Sequence, residues 1–134
     1  MSPSPRMALS APVLDAPDPH ALAGFYRRLL GWTIVQEHAD WVKLRPPGGG
    51  TGLSFQTEPL YSAPTWPATE KSQQIMAHLD FEVDDLEAAA ERATAAGAVL
   101  ADVQPDDDVR VFLDPAGHPF CLFLPEPENP PAPA

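Results

Sequence analysis

Positive charge is scarce in this sequence. Its 134 residues hold 8 Lys and Arg against 19 Asp and Glu, a formal net charge of −11. Binding to nucleic acid rests on neutralising phosphates with basic side chains, and no basic stripe is present; nucleic-acid partners are therefore not expected, and anionic membrane surfaces are disfavoured. Thiols are almost absent. The single cysteine, Cys121, excludes an internal disulfide and points, weakly, to a reducing compartment. No apolar run approaches the ~20 residues of a membrane-spanning helix. The first residues lack a basic-then-apolar signal pattern, and Arg27-Arg28 falls inside a helical pattern, so a cytoplasmic protein is expected. A phosphate-cradling glycine loop is also missing, because Gly48-Gly49-Gly50 follows Pro-Pro and has no strand-to-helix context.

What is present is enough to build a core. Hydrophobic residues make up 44% of the chain and charged residues 20%, which for this length predicts one folded domain. The 18 prolines collect at the two ends and in the middle. Residues 1–6 and 126–134 are too poor in apolar side chains to pack and are expected to be disordered tails.

The strongest internal signal is a repeat. Residues 18–31 read DPHALAGFYRRLLG and residues 84–97 read DDLEAAAERATAAG. Each is an acid, a run of helix formers and a glycine, and the two are 66 residues apart. Asp18 is suited to cap a helix with Pro19 in its first turn, and Gly31 to end it. Leu22, Phe25, Tyr26, Leu29 and Leu30 recur on one helical face; the second helix is predicted over 86–96. Strands are predicted over 8–15, 32–37, 41–45 and 52–56, and again over 76–83, 99–103, 109–113 and 120–124. The fold class is therefore α+β: a strand–helix–three-strand unit over 7–57, a proline-rich bridge over 58–75 and a second such unit over 76–125. Two curved mixed sheets of this kind leave a cavity where they meet, the natural place for a ligand.

Alternation assigns the faces. In the second unit Leu79, Phe81 and Val83, Val109, Val111 and Leu113, and Phe120, Leu122 and Leu124 are expected beneath the helix. His78, Asp80, Glu82, Arg110, Phe112, Cys121 and Phe123 then line the cavity. In the first unit Trp41, Lys43 and Arg45 fall opposite Val42 and Leu44, and Ser54 and Gln56 opposite Leu53 and Phe55.

Three segments carry a family resemblance: FYRRLLGW (25–32), HLDFEVDDLEAA (78–89) and DPAGHPFCL (114–122), with PTWP (64–67) beside them. Over residues 8–125 the chain resembles the vicinal oxygen chelate superfamily, which includes glyoxalase I, extradiol dioxygenases and bleomycin-resistance proteins, and within it the glyoxalase-like subgroup common in actinobacteria. Metal-dependent members take one ligand from the first and one from the last strand of each unit. The resemblance places His78 at such a position. Cys121 stands where glutamate is usual, Gln56 is a weak amide donor, and Pro12 or Ala11 fills the fourth position. The resemblance thus implies a degenerate metal site and no resident cofactor; a divalent metal, if bound, would use His78 with Gln56 or Cys121. It also implies a homodimer.

The candidate site residues are each open to a second use. His78 suits a general base or a ligand-binding donor, or else a strand histidine held by Asp80 or Glu82. Cys121 suits a nucleophile or, more often for an unpaired cysteine, an inert buried side chain. Arg45 and Arg110, 65 residues apart, could together hold a carboxylate or phosphate, or pair with the surplus acids. Trp66 could stack on a planar ligand or seal the apolar seam. Trp32 and Trp41 are expected in the core or at a dimer contact, and His118 in a structural turn. The function expected is small-molecule binding in the glyoxalase/bleomycin-resistance mould without the usual metal. The alternative is a lyase or isomerase of a hydroxy- or ketocarbonyl substrate, with His78 as acid/base or metal ligand.

Overall fold

A computed structural model describes residues 5–128 and 130. The expectations for residues 1–4, 129 and 131–134 lie outside the described residues. The chain divides into two compact units, Met1–Ser62 and Ala63–Ala134. The first contains β1 (Val13–Ala16), α1 (Pro19–Leu30), β2 (Thr33–His38), β3 (Trp41–Arg45) and β4 (Leu53–Thr57). The second repeats the order with β5 (Leu79–Glu82), α2 (Leu86–Ala96), β6 (Val99–Leu100), β7 (Val109–Leu113) and β8 (Pro119–Phe123). Both sheets are open and share one topology, β1-β4-β3-β2 and β5-β8-β7-β6. In each, the first strand runs parallel to the last, and the other pairs are antiparallel.

The two helices start and stop where the repeat predicts, for local reasons. The Asp18 carboxylate accepts from the His20 and Ala21 amides at 3.0 and 3.2 Å, which relieves two of the unpaired N–H groups of the first turn. Gly31 closes α1 with φ 71°, a left-handed conformation that a side chain would strain. In the second unit the cap is Asp85, which accepts from Ala88 N at 3.0 Å. The acid that opens the sequence repeat, Asp84, precedes the cap by one residue.

In the first unit Leu22, Phe25, Tyr26 and Leu29 are buried on α1, as are Val42, Leu44, Leu53 and Phe55 on the sheet. Tyr26 stacks on Phe55 at 5.6 Å and meets Phe25 edge-on at 4.8 Å. The second unit has a leaner helix, with only Leu86, Ala93 and Ala96 buried. Its aromatic weight sits in the sheet: Phe112 stacks on Phe120 at 5.8 Å, and Phe81 meets Phe120 edge-on at 6.0 Å.

Several strands are shorter than alternation predicts. β1 begins at Val13, because Pro12 has no N–H for the ladder. The preceding stretch still accompanies β4 through its carbonyls, Ser10 O accepting from Gly52 N and Pro12 O from Ser54 N. β5 begins at Leu79, so His78 precedes the strand. β6 ends at Leu100 because the Gln104 side chain takes over the pairing. Its amide donates to Ala101 O and Val111 O at 2.8 and 3.0 Å and accepts from Val111 N at 2.8 Å.

The faces of β7 are the reverse of the expected ones. Val111 lies opposite Cys121 and Val109 opposite Phe123, whereas Phe112 lies opposite Phe120 and Arg110 opposite Leu122. Phe112 is therefore core, 1% exposed, and Val109 and Val111 share the face of Asp80 and Cys121. The 65-residue spacing of Arg45 and Arg110 does not make them equivalents, because the hairpin loops differ in length. Trp41 pairs with Gln56 across 15 residues, but Val111 pairs with Cys121 across 10. The alternation within β7 is regular, and nothing local marks which face is which.

Removing a cap should cost stability in proportion to the donors it serves. Asp18→Ala is expected to lose about 1–2 kcal/mol and Asp85→Ala about 1 kcal/mol, read as ordered decreases in the midpoint of urea unfolding. Equal midpoints for the two variants and the parent would refute the assignment.

Candidate functional site

The parallel β5–β8 pairing sets Asp80 directly opposite Cys121. His78, one residue before β5, has Asp80 as its next neighbour on that side of the chain, and its Nε2 lies 3.0 Å from Asp80 Oδ1. The ligating atoms of His78, Asp80 and Cys121 all lie within 4.8 Å of one another. Cys121 is buried, while His78 and Asp80 are open to solvent. Burial first, then the charge of Asp80 and a hydrogen bond to it, push the Cys121 thiol up to about 11. The sulfur therefore keeps its proton at neutral pH, contrary to what a nucleophile needs.

These three residues open onto a cleft of about 1050 Å³ within the second unit. Phe123 and Val109 supply apolar wall, Glu82 extends the row begun by Asp80, and the segments 106–108 and 124–128 complete the lining. The acids are not a uniform surface feature. Of the charged residues, the first unit carries five basic (Arg6, Arg27, Arg28, Lys43, Arg45) and five acidic (Asp15, Asp18, Glu37, Asp40, Glu58). That leaves three basic and fourteen acidic for the second unit, so the whole net charge of −11 resides there. Seven of those fourteen acids, Asp80, Glu82, Asp106, Asp107, Asp108, Glu126 and Glu128, line the cleft.

The other expected site residues are elsewhere or otherwise employed. Arg110 does not line the cleft: its Nη1 donates to the carbonyls of Asp106, Asp107 and Val109, at 3.4, 3.0 and 3.0 Å, and so pins the acidic loop from behind. Trp66, in a cis Trp66–Pro67 segment, packs on the Ala101, Val111 and Cys121 cluster, and its Nε1 donates to Val103 O at 2.8 Å. It packs beside the thiol and is not part of the cleft lining. His118 and the buried Asp114 hold the turn before β8, as expected, with Nδ1 2.9 Å from Oδ2. Trp41 is half-buried and donates to Gln36 at 2.8 Å. Arg45 and Gln56 belong to the first unit.

Gln56 has a partner that the sequence reading missed. Its Nε2 donates to Asp15 Oδ1 at 2.7 Å. Asp15 lies opposite Gln56 in the β1–β4 register, as Asp80 lies opposite Cys121 in β5–β8. The true offset between these pairs is 65 (80 − 15 and 121 − 56), which makes Val13, not Pro12, the counterpart of His78. The available signal was the aspartate two residues after a predicted strand register point in both copies, hidden by aligning on the helices.

The donors present bear on the divalent metal that the resemblance would place, if bound, on His78 with Gln56 or Cys121. An imidazole, a carboxylate and a thiol are the accepted ligand types of an open zinc-like centre with three protein ligands. The second unit supplies that set without Gln56, and Asp80 is the member not anticipated as a ligand. The same three groups are also mutually satisfied as they stand, with Asp80 accepting from His78 and from the protonated Cys121.

The raised thiol makes a prediction with a definite sign. Cys121 holds its proton in the folded state beyond the pH at which the unfolded chain loses it, so its contribution to stability is lost as pH rises above about 9. Iodoacetamide should alkylate native Cys121 at pH 8 roughly a hundredfold more slowly than the urea-unfolded chain. Asp80→Asn should narrow the gap; identical native and unfolded rates would contradict the site as described.

Comparison with known proteins agrees with this architecture. No curated protein matches the chain at a significant level. Among solved structures, a glyoxalase/bleomycin resistance protein/dioxygenase family enzyme from Burkholderia phytofirmans PsJN superposes with a TM-score of 0.68 at 22% identity, covering 88% of this chain and 98% of that one. TnmS3, an antibiotic binding protein from Streptomyces sp. CB03234, gives 0.62 at 17% identity, covering 93% and 100%. The fosfomycin resistance protein FosX from Mesorhizobium loti gives 0.63 at 13% identity, covering 87% and 90%. At such identities the likeness is one of fold. The sequence profile of the glyoxalase-like domain matches residues 11–123. With that match spanning both strand–helix–three-strand units, the chain belongs to the glyoxalase-like domain family.

Proposed function

We propose that this protein binds an organic small molecule, neutral or cationic, in the second unit's cleft at His78, Asp80, Cys121 and Phe123. The observation that carries the reading is the partition of charge: the second unit holds the full −11, and seven of its carboxylates line one cleft with apolar surface between them. Such a field attracts cations and repels anions, and the effect is strongest in a concave site. Phe123 and Val109 offer the apolar contact that an amine-bearing aromatic ligand would use. TnmS3, which shares the fold, is described as an antibiotic binding protein, and this supports a reading of small-molecule binding.

The proposed binding needs no metal, because Asp80 already serves both His78 and the protonated Cys121. A zinc-class ion would be held by His78, Asp80 and Cys121, and would supply a Lewis acid in the cleft. Stoichiometric metal in freshly purified protein, lost in Cys121→Ala, would replace the metal-free reading.

A second reading rests on the 3.0 Å contact between His78 and Asp80. A carboxylate fixes the tautomer of an imidazole and steadies its protonated form, which suits a general acid/base in a lyase or isomerase. Full turnover by His78→Ala in an active preparation would remove that role.

The charge preference is testable without knowing the ligand. In a thermal-shift panel, amine-bearing aromatic compounds should raise Tm and their carboxylate analogues should not. A ligand at a hundred times its Kd adds about 2.7 kcal/mol to stability, several degrees for a chain of this size. Glu82→Gln with Asp107→Asn should weaken the response several-fold, and added salt should do the same. Hits dominated by anions would sink the proposal.

A further inference from the structure

The first unit contains a feature of opposite character. Residues Arg6, Leu9, Ser10, Arg45 and Thr51 line a pocket of about 650 Å³, with no carboxylate in its lining. In a chain with 19 acidic and 8 basic residues, two arginines on one acid-free pocket are an unusual allocation.

The pocket is built by pairing of the stretch before β1 with the start of β4. Gly52 N donates to Ser10 O at 2.9 Å, and Thr51 Oγ1 donates to Leu9 O at 3.3 Å. Gly52 is obligatory there, since a Cβ would come within 2.2 Å of Leu44 O. Arg45 Nη1 donates to the Gly50 carbonyl and is held at the pocket wall by the β3–β4 turn. Arg6, among the described residues, has no hydrogen-bond or carboxylate partner.

A buried cation stands behind this wall. Lys43 is 7% exposed, and its Nζ donates to Ser10 Oγ. Among the described residues no carboxylate lies within 4.0 Å of the Lys43 ammonium. A buried charge is normally paired, because desolvation without a counter-ion is costly. Among the described residues the one hydrogen-bond partner of the Lys43 ammonium is a hydroxyl, and that hydroxyl belongs to a residue of the pocket lining.

From these facts we infer that the pocket formed by Arg6, Ser10, Arg45 and Thr51 is an oxyanion-binding site for a carboxylate or phosphate group. Lys43 completes the charge from behind through Ser10. Two guanidinium groups and the Ser10 hydroxyl supply donors of the kind that recognises either group, and the anion supplies the missing counter-charge. The site is wholly within the first unit and does not depend on the reading of the acidic cleft.

The test is titration of the full chain with inorganic phosphate, and separately with acetate, at ionic strength held constant with chloride. The readout is amide chemical shifts. Saturable shifts confined to Ser10, Gly50, Thr51 and their neighbours are expected for at least one of the two anions. Because Arg6 has no structural bond, Arg6→Gln should leave the unfolding midpoint unchanged and weaken binding about five- to tenfold. Lys43→Met removes the rear charge with an apolar side chain of similar length and should weaken binding too. Asp107→Asn, in the other unit, should leave the affinity unaltered. Linear, unsaturated shifts with both anions would overturn the site, as would unchanged affinity in folded Arg6→Gln.

Discussion

Parallel pairing of the first strand with the last is the constraint on which each unit depends. It places a residue of the first strand opposite one of the last strand of the unit, so side chains more than forty positions apart become neighbours: Asp15 beside Gln56, and Asp80 beside Cys121. The helix between makes the return possible. A parallel pair cannot be joined by a tight turn, and the crossover helix also covers one sheet face. The caps Asp18 and Asp85 and the terminating glycines Gly31 and Gly97 fix its length.

The same device yields unlike chemistry in the two copies. In the first unit the cross-strand pair is a carboxylate and an amide that satisfy each other. In the second, the amide's place is taken by a thiol, and His78 adds an imidazole to the carboxylate. The surrounding charge differs as sharply: five basic and five acidic residues in one unit, three and fourteen in the other. A duplicated scaffold has thus been given an acidic cleft in one half and an acid-free, arginine-lined pocket in the other.

Much of the scaffold could be read from the sequence. Both helices, β3 and β7 stand where periodicity and capping residues set them, because those signals are local. The strand ends were less legible. Pro12 cuts β1 short by lacking a donor, and Gln104 ends β6 by occupying the ladder with its side chain, an arrangement that depends on a partner seven residues away. Within the candidate site, His78, Asp80, Cys121 and Phe123 were identified by alternation on β5 and β8, and they share the cleft. Arg110 and Phe112 were assigned to it by the same rule applied to β7, where the rule has two solutions of opposite parity. The pairing with β8 selects the one that buries Phe112 against Phe120.

By itself the sequence determined the element order, the helix boundaries, the two-unit plan and the acidity, all of which follow from residues near one another in the chain. Only the tertiary structure decided the register: that Asp80 meets Cys121 and not another residue, that Asp15 meets Gln56, and that Lys43 lies buried behind Ser10. Register is set by the fit of whole strands and by loop lengths, and a shift of one residue would turn every side chain of a strand to the other face. That is why a repeat aligned on its helices gave Pro12, and not Val13, as the first-unit counterpart of His78.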